Sequence, residues 1–228
     1  MKENKKELYI GFGLLIGFTA ILIIIFSPVF KGQNGLKYLD NLYNSISKGS
    51  AYYIPKVKKT ADTFYGRSVN VTIDMGDERQ AQQTAALFMK GGALVNVSGS
   101  RLKVEGDLGK ILANCLGDAD RMYMNDGKAV LSKYGYNERQ VLFNWWQALS
   151  AMDKVLKKQK QFKEAETVDL VVKKAVETSY NYYRIEPDKI SDRTFIVLIS
   201  LAFYVIYTLW YGFAVMCIFE GWGLKLEH

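Results

Sequence analysis

A chain of 228 residues has room for one domain, or two small ones, besides any membrane-spanning part. Its only histidine is His228, within a terminal Leu226-Glu227-His228 that we interpret as the remnant of a polyhistidine tag, so chemistry that needs imidazole is excluded from our expectations. The two cysteines, Cys115 and Cys217, are too few for a disulfide framework and support no zinc site. We therefore expect no enzyme, no catalytic residues, no cofactor and no metal.

The N-terminal apolar run predicts a membrane anchor. Residues 8–30 are apolar apart from three hydroxyl-bearing side chains, and the run is too long for a cleaved signal peptide. We therefore predict an uncleaved transmembrane helix there. Gly13 and Gly17, with Ala20 on the same face, predict a close contact with another helix, either the second span of this chain or a further copy.

Residues 31–66 predict juxtamembrane helices. Apolar residues recur at helical spacing in a first segment that we expect to break at Lys48-Gly49-Ser50, and again in a second segment that opens at Pro55. Glycine and serine together are typical of a break between helices, which is why we place the end of the first helix there.

Residues 67–135 predict a small β-α-β-β-α domain. Alternating apolar residues indicate three short strands, and two apolar stripes at helical spacing indicate helices that cover one face of the sheet. Gly99-Ser100 suits a type II′ turn between the second and third strands, and this turn places Val97 opposite Leu102.

Residues 136–187 predict an antiparallel helical hairpin. The apolar stripe that begins at Leu142 loses its phase near Lys160 and resumes about 200° away, which indicates a turn between two helices. Asn137, followed three residues later by Gln140, resembles a capping box at the start of the first helix.

The strongest single signal is an apolar stretch near the C-terminus. Thr194–Phe219 contains 26 residues without charge, Pro or Asn, and at about 1.5 Å per residue it outspans a hydrocarbon core of roughly 30 Å. Because a backbone in lipid must satisfy its own hydrogen bonds, we predict a transmembrane helix over residues 193–219. The fold class is thus an integral membrane protein with two transmembrane helices flanking an α+β soluble domain.

One face of this helix carries nearly all of its hydrogen-bonding side chains. At 100° per residue, these groups fall within an arc of about 100°. Hydroxyls in hydrocarbon need partners, so the arc should meet protein or water while the opposite face meets lipid. Helix packing and the lining of a pore are the two alternatives for this face. Its residues are Ser200, Tyr204, Tyr207, Thr208 and Tyr211, with Gly212 at the edge.

Two spans place both termini on the same side of the membrane. Lys2, Lys5 and Lys6, in an expected tail over residues 1–7, favour the cytoplasm for that side. The C-terminal stub, residues 220–228 with the tag remnant, would share it. Long loops cross membranes largely regardless of their charge, so we expect the central domain to be periplasmic or extracellular.

Few residues of the soluble part suggest chemistry. Asp118, Asp120 and Asp126 lack the spacing of a calcium loop, so we expect a solvated helix face. Cys115 falls on an apolar stripe and is expected in the core. The pair Trp145 and Trp146 is the candidate partner contact, because adjacent helix residues point 100° apart and only one of them can be central in the core.

The charge balance sets the expected partners. The region between the spans holds 26 Lys and Arg against 19 Asp and Glu, which permits an acidic lipid or an acidic protein partner. No nucleic-acid motif accompanies this charge, so we expect no nucleic-acid binding. We hypothesise a non-enzymatic protein of the lipid bilayer, homo-oligomeric, whose outer domain serves assembly or binds a partner or ligand. The alternative is a homo-oligomeric ion channel lined by the hydroxyl-rich face.

Overall fold

A computed structural model describes residues 4–30 and 32–224. The described chain is mostly helical, with one small three-stranded antiparallel sheet. In chain order its elements are α1 (Lys5–Phe26), α2 (Gly35–Ser50), α3 (Ile54–Asp62), β1 (Ser68–Asp74), α4 (Glu78–Lys90), β2 (Leu94–Ser98), β3 (Arg101–Asp107), α5 (Leu108–Tyr123), α6 (Gly127–Tyr134), α7 (Glu138–Lys158), α8 (Phe162–Val171), a π-helical segment (Val172–Val176), α9 (Glu177–Tyr182) and α10 (Ile190–Gly221).

The contacts divide the chain into two compact units. The first joins the described residues up to Gly49 with those from Glu186 onward, and the second is Ser50–Ile185. The first unit therefore contains α1, α10 and nearly all of α2. The sequence assigned α2 to the region between the spans, whereas its contacts group it with the two apolar helices.

Two helices of the first unit, α1 and α10, are long and apolar enough to cross a membrane. They have 22 and 32 residues, and almost none of their most apolar windows is buried within the protein. A core helix of a soluble protein would bury that surface. The predicted spans differ from the helices at their ends. Helix α1 stops at Phe26, not at residue 30, because Pro28 restricts Ser27 to an extended conformation.

The predicted tails fall partly outside the described residues. Lys2 and His228 lie outside them, and nothing structural bears on the tag remnant. Lys5 and Lys6 belong to the first turn of α1 and not to a separate tail. Helix α10 begins three residues before the predicted span, at Ile190.

The first juxtamembrane helix ends where the sequence predicted, since α2 runs through Lys48 and Gly49 and ends at Ser50. The glycine permits a close approach to another chain segment within this unit. A β-carbon at Gly49 would lie 2.9 Å from the carbonyl oxygen of Asp188, and the amide of Asp188 donates to the carbonyl of Ser45 at 3.1 Å. Glycine here serves tertiary packing and does not end the helix.

The sheet of the second unit has the order β1-β3-β2, with both pairs antiparallel. The predicted register is confirmed, since Val97 faces Leu102. One face is apolar and packed against helices α4, α5 and α7, and its side chains in β1 and β3 are buried. The other face is polar and exposed, which is the alternation expected of an antiparallel sheet covered on one side.

The helical hairpin turns where the sequence predicted. Lys160 has a φ of +61° between α7 and α8. The Asn137 side chain caps α7 by accepting from the amides of Arg139 and Gln140. The reciprocal half of the predicted capping box is wrong, because the Gln140 side chain donates to Asn144 instead. The second arm is also irregular: after Val171 the helix widens into the π-helical segment before α9 ends the hairpin at Tyr182.

Candidate functional site

The closest approach of α1 and α10 occurs at two glycines that sequence reasoning did not select. A β-carbon at Gly11 would lie 2.8 Å from the backbone nitrogen of Ile218, and one at Gly221 would lie 2.6 Å from the nitrogen of Leu8. Both positions therefore accept only glycine without a shift of the backbone. Each glycine stands alone, without a small residue four positions away, so no spacing motif could have found them.

The three small residues of the predicted contact face of α1 lie in different surroundings. Gly17 faces the indole of Trp210, with a β-carbon position 3.1 Å from the ring, and the Trp210 Nε1 donates to the carbonyl of Leu14 at 3.0 Å. Gly13 has no described atom within 4 Å of its β-carbon position, and Ala20 is exposed. Contact of Gly13 and Ala20 with a further copy stays a prediction.

Part of the hydroxyl-rich face of α10 is occupied within the unit. The Tyr207 hydroxyl donates to the carbonyl of Phe18 at 3.0 Å, and the two rings stack with centroids 4.2 Å apart. Ser200 lies 2.6 Å from the Tyr43 hydroxyl of α2. Thr208 donates to the carbonyl of Tyr204 in its own helix, and its side chain stays exposed beside Tyr204 and Tyr211. These hydroxyls have the partners that hydrocarbon requires without a second chain.

The rest of that face is open. Tyr204 is 70% exposed, Tyr211 is also exposed, and Gly212 has no described atom within 4 Å of its β-carbon position. This edge of the face is the surface that another copy, or a pore, would use. The structure thus separates a packed part from an unoccupied part of one predicted face.

The two adjacent tryptophans have different environments. Trp145 is completely buried, packs edge-on against Phe88, and donates from Nε1 to the Asp118 carboxylate at 2.9 Å. Trp146 is 38% exposed. Of the candidate pair, only Trp146 can therefore meet a partner.

Asp118 corrects the expectation of a solvated acidic face. It is fully buried on α5 and accepts from three groups: the Lys133 ammonium at 2.6 Å, the Tyr134 hydroxyl at 2.6 Å and the Trp145 indole. The burial of Tyr134, together with the Asp118 charge, raises the pKa of its phenol. The position of Asp118, three residues after Cys115 on the apolar stripe, was the available signal. Its oxygens are fully engaged, so the cluster is a structural network.

An apolar groove beside Trp146 is the best candidate for a functional site. Trp146 and Phe143 stack with ring centroids 5.9 Å apart, and the Trp146 Nε1 donates to Oε1 of Glu177 at 2.9 Å. The groove encloses about 360 Å³. It is lined by Leu142, Phe143, Trp146, Val176, Glu177, Tyr180 and Asn181.

The π-helical segment ends at this groove and contributes Val176 to its lining, directly before Glu177 of α9. Its characteristic bond runs from the amide of Glu177 to the carbonyl of Val172, five residues earlier. The side-chain hydroxyl of Thr178 also donates to a carbonyl five residues earlier, that of Lys173. The wider turn shifts the phase of the following residues by about one position, and Glu177 then faces Trp146. Such bulges occur frequently at functional sites, and no pattern in the sequence predicted this one.

Other chemistry is sparse in the described part of the chain. Among residues 4–30 and 32–224, no group of three or more His, Cys, Asp or Glu side chains could hold a metal ion. Cys115 is buried in the core, as predicted, and burial raises the pKa of its thiol well above the usual value. A buried thiol of raised pKa is unreactive.

Comparison with protein-family models, with curated proteins and with solved structures finds no match for this chain.

Proposed function

We propose that this chain is a non-enzymatic, two-span integral membrane protein whose central domain binds a protein partner at the groove beside Trp146. The observation that carries the proposal is the exposed, stacked pair Trp146 and Phe143 at an apolar groove. An exposed aromatic pair favours binding because covering it releases water from a large, rigid apolar surface. The lysines near the N-terminus support a topology in which the central domain lies outside the cytoplasm.

The apolar surface of α10 supports membrane insertion. Its side chains remain exposed over more than enough length to span a bilayer, and its hydroxyls are bonded to nearby backbone and side chains. Lipid would cover the apolar surface, and water would leave it exposed at a considerable cost in free energy.

The partner is defined by the chemistry of the groove. Glu177 is the only charged residue among those that line it, and it sits at the polar edge of an otherwise apolar and aromatic surface. A segment that presents an apolar side chain next to a lysine or arginine would complement both features. We therefore propose a basic amphipathic segment of another protein as the occupant.

Labelled peptides that alternate leucine or phenylalanine with lysine test this proposal on the full-length chain in detergent. Their fluorescence anisotropy should report binding that falls at least tenfold in the variant Trp146→Ala. Phe162→Ala, which removes an exposed aromatic outside the groove, is the matched control and should bind normally. Peptides with glutamate in place of lysine should bind poorly. Equal binding by the two variants would contradict the proposal.

A pore remains the second candidate, favoured by the exposed edge formed by Tyr204 and Tyr211 on α10. Hydroxyl rings would support a weakly selective passage, provided that several copies assembled with this edge innermost.

A further inference from the structure

The two edges of the small sheet differ in how they are covered. At β1, the Gln159 side-chain amide donates to the carbonyl of Asn70 at 3.0 Å, and α7 packs against the strand. At β2, no further strand follows in the described sheet. A sheet edge carries a row of backbone groups that can pair with another strand, so the edge at β2 is open to a partner.

The register identifies the free backbone groups of β2. In a hairpin with a two-residue turn, the residues that flank the turn form a hydrogen-bonded pair, here Ser98 and Arg101. Such pairs alternate along an antiparallel ladder, so Asn96 also bonds to β3. The amides and carbonyls of Val95 and Val97 consequently point away from the sheet.

This edge lacks the features that usually prevent strand pairing. The sequence LVNVS contains no charge and no proline, and its register with β3 is unbroken, without a bulge. Leu94 is 77% exposed and Val97 is 38% exposed. Soluble proteins normally protect an edge of this kind with lysine, proline or a bulge.

We propose that β2 pairs with β2 of a second copy of this chain, so that two three-stranded sheets form one sheet of six strands. Antiparallel pairing about a two-fold axis is self-complementary. With the axis at Asn96, Val95 of each copy faces Val97 of the other, and each facing pair exchanges two backbone hydrogen bonds. The exposed side of Val97 is then covered by a valine.

The charge distribution favours a second copy as the occupant. The strand itself is neutral, so two copies bring no like charges together. The nearest cations in the sheet, such as Lys103 of β3, would lie three strand spacings from their mates, roughly 14 Å. That distance exceeds the Debye length of about 8 Å at physiological ionic strength, so their repulsion is screened.

Helix α4 also fits this arrangement. It packs over both β2 and β3, and a helix centred between these strands would lie roughly 10 Å from its mate, close to the usual packing distance of 8–10 Å. Met89 lies 180° around α4 from Gln80, whose amide bonds to Asn144 of α7. The exposed Met89 therefore faces away from α7, on the flank where the second α4 would pack.

Disulfide formation tests the register on the full-length chain in detergent. Facing Asn96 residues form a non-hydrogen-bonded pair with Cα atoms about 4.5 Å apart, a distance that a disulfide spans. In a Cys217→Ala background, Asn96→Cys should give a reducible dimer under mild oxidant at least tenfold more efficiently than Thr72→Cys. Thr72 is the matched control, exposed on the opposite edge strand. Equal yields, or no linked dimer with Asn96→Cys, would overturn the proposal.

A proline substitution tests the pairing itself. Val97→Pro removes an outward amide and leaves the ladder to β3 intact, so it should weaken the dimer at least tenfold in native mass spectrometry. Thr72→Pro removes an outward amide at β1 and should leave the dimer unchanged. An undiminished Val97→Pro dimer would overturn the proposal, as would a bound mass that differs from that of this chain. If Val97→Pro fails to fold, the Asn96→Cys result decides. Trp146→Ala should dimerise normally, which separates this test from that of the groove.

Discussion

Gly11 of α1 lies directly against the backbone of Ile218 in α10. A β-carbon added at Gly11 would stand 2.8 Å from the Ile218 nitrogen and 3.0 Å from the Ala214 carbonyl oxygen. Backbone atoms cannot rotate away as a flexible side chain can, so this contact fixes how closely the two helices pack. Gly13, two residues later, has no described neighbour within 4 Å of its β-carbon position.

We predict that Gly11→Leu disrupts the α1–α10 contact, whereas Gly13→Leu does not. Forcing a side chain against backbone costs about 1–3 kcal/mol in a packed region. Thermal unfolding of the full-length chain in mild detergent should show a lower midpoint for Gly11→Leu alone. The opposite ranking of the two variants would show that the helices meet through a different face, such as the one that contains Gly13.

We predict that Asp118→Ala destabilises the central domain by about 1–3 kcal/mol. The substitution leaves the buried Trp145 indole without its acceptor, while Lys133 can still turn towards water because its side chain is 29% exposed. Denaturant unfolding followed by tryptophan fluorescence measures the change. Asp120 is only half-buried on the same helix, so Asp120→Asn should lower the free energy of unfolding by less. An equal loss of stability in both variants would argue against the network.

The surroundings of Glu138 predict that the stability of the central domain depends on pH. The carboxylate accepts hydrogen bonds from its own backbone amide, from the Tyr183 hydroxyl at 2.9 Å and from the Arg184 guanidinium at 3.2 Å. These bonds stabilise the charged form and lower the pKa of Glu138, although burial opposes the shift. A lowered pKa contributes stability that is present above the unfolded value of about 4.3 and is lost as the pH falls through the folded value.

Glu138→Gln should therefore lower the melting temperature by about 2–4 °C at pH 7. Below pH 4 the difference from the wild type should shrink, because the wild-type carboxyl becomes protonated as well. Calorimetry at a series of pH values checks both parts. A difference in melting temperature that grows towards acid pH would show that folding raises the pKa of Glu138 instead of lowering it.

The proposed topology predicts which residues are accessible from outside the cell. In a Cys217→Ala background, cysteines at Lys103 and Lys163 should react with a membrane-impermeant maleimide on intact cells, or on spheroplasts where an outer membrane is present. A cysteine at Lys5 should react only after the membrane is permeabilised. Cys115 is buried and supplies little background labelling. The reverse pattern would invert the orientation.

Ion flux separates a pore from a packing surface on α10. If the exposed hydroxyl edge lines a passage, liposomes with the wild-type chain should conduct and Thr208→Trp should block conduction. Leu209→Trp, at an exposed position outside the hydroxyl-rich face, is the matched control and should leave conduction unchanged. Flux equal to that of empty liposomes, over a range of pH and voltage, would leave helix packing as the role of this face.

The sequence alone determined the features that depend on local periodicity and on turn chemistry. Two long uncharged stretches predicted the two candidate membrane helices, because an apolar run long enough to cross a bilayer can be recognised without knowing which residues pack against it. Alternation of apolar residues and the Gly99-Ser100 turn gave the strand pair and its register, with Val97 opposite Leu102. The loss of helical phase near Lys160 gave the hairpin turn.

Only the tertiary structure decided which glycines carry the helix contact, that Asp118 is buried, and that a π-helical segment ends at the groove and is followed there by Glu177, which faces Trp146. Each of these depends on a partner distant in sequence: Ile218 for Gly11, Lys133 and Trp145 for Asp118, and Trp146 for Glu177. A local pattern records the preference of a residue for water or for apolar surroundings. It does not record which atoms fill the space beside it, and that space decides between a packed contact and an open surface.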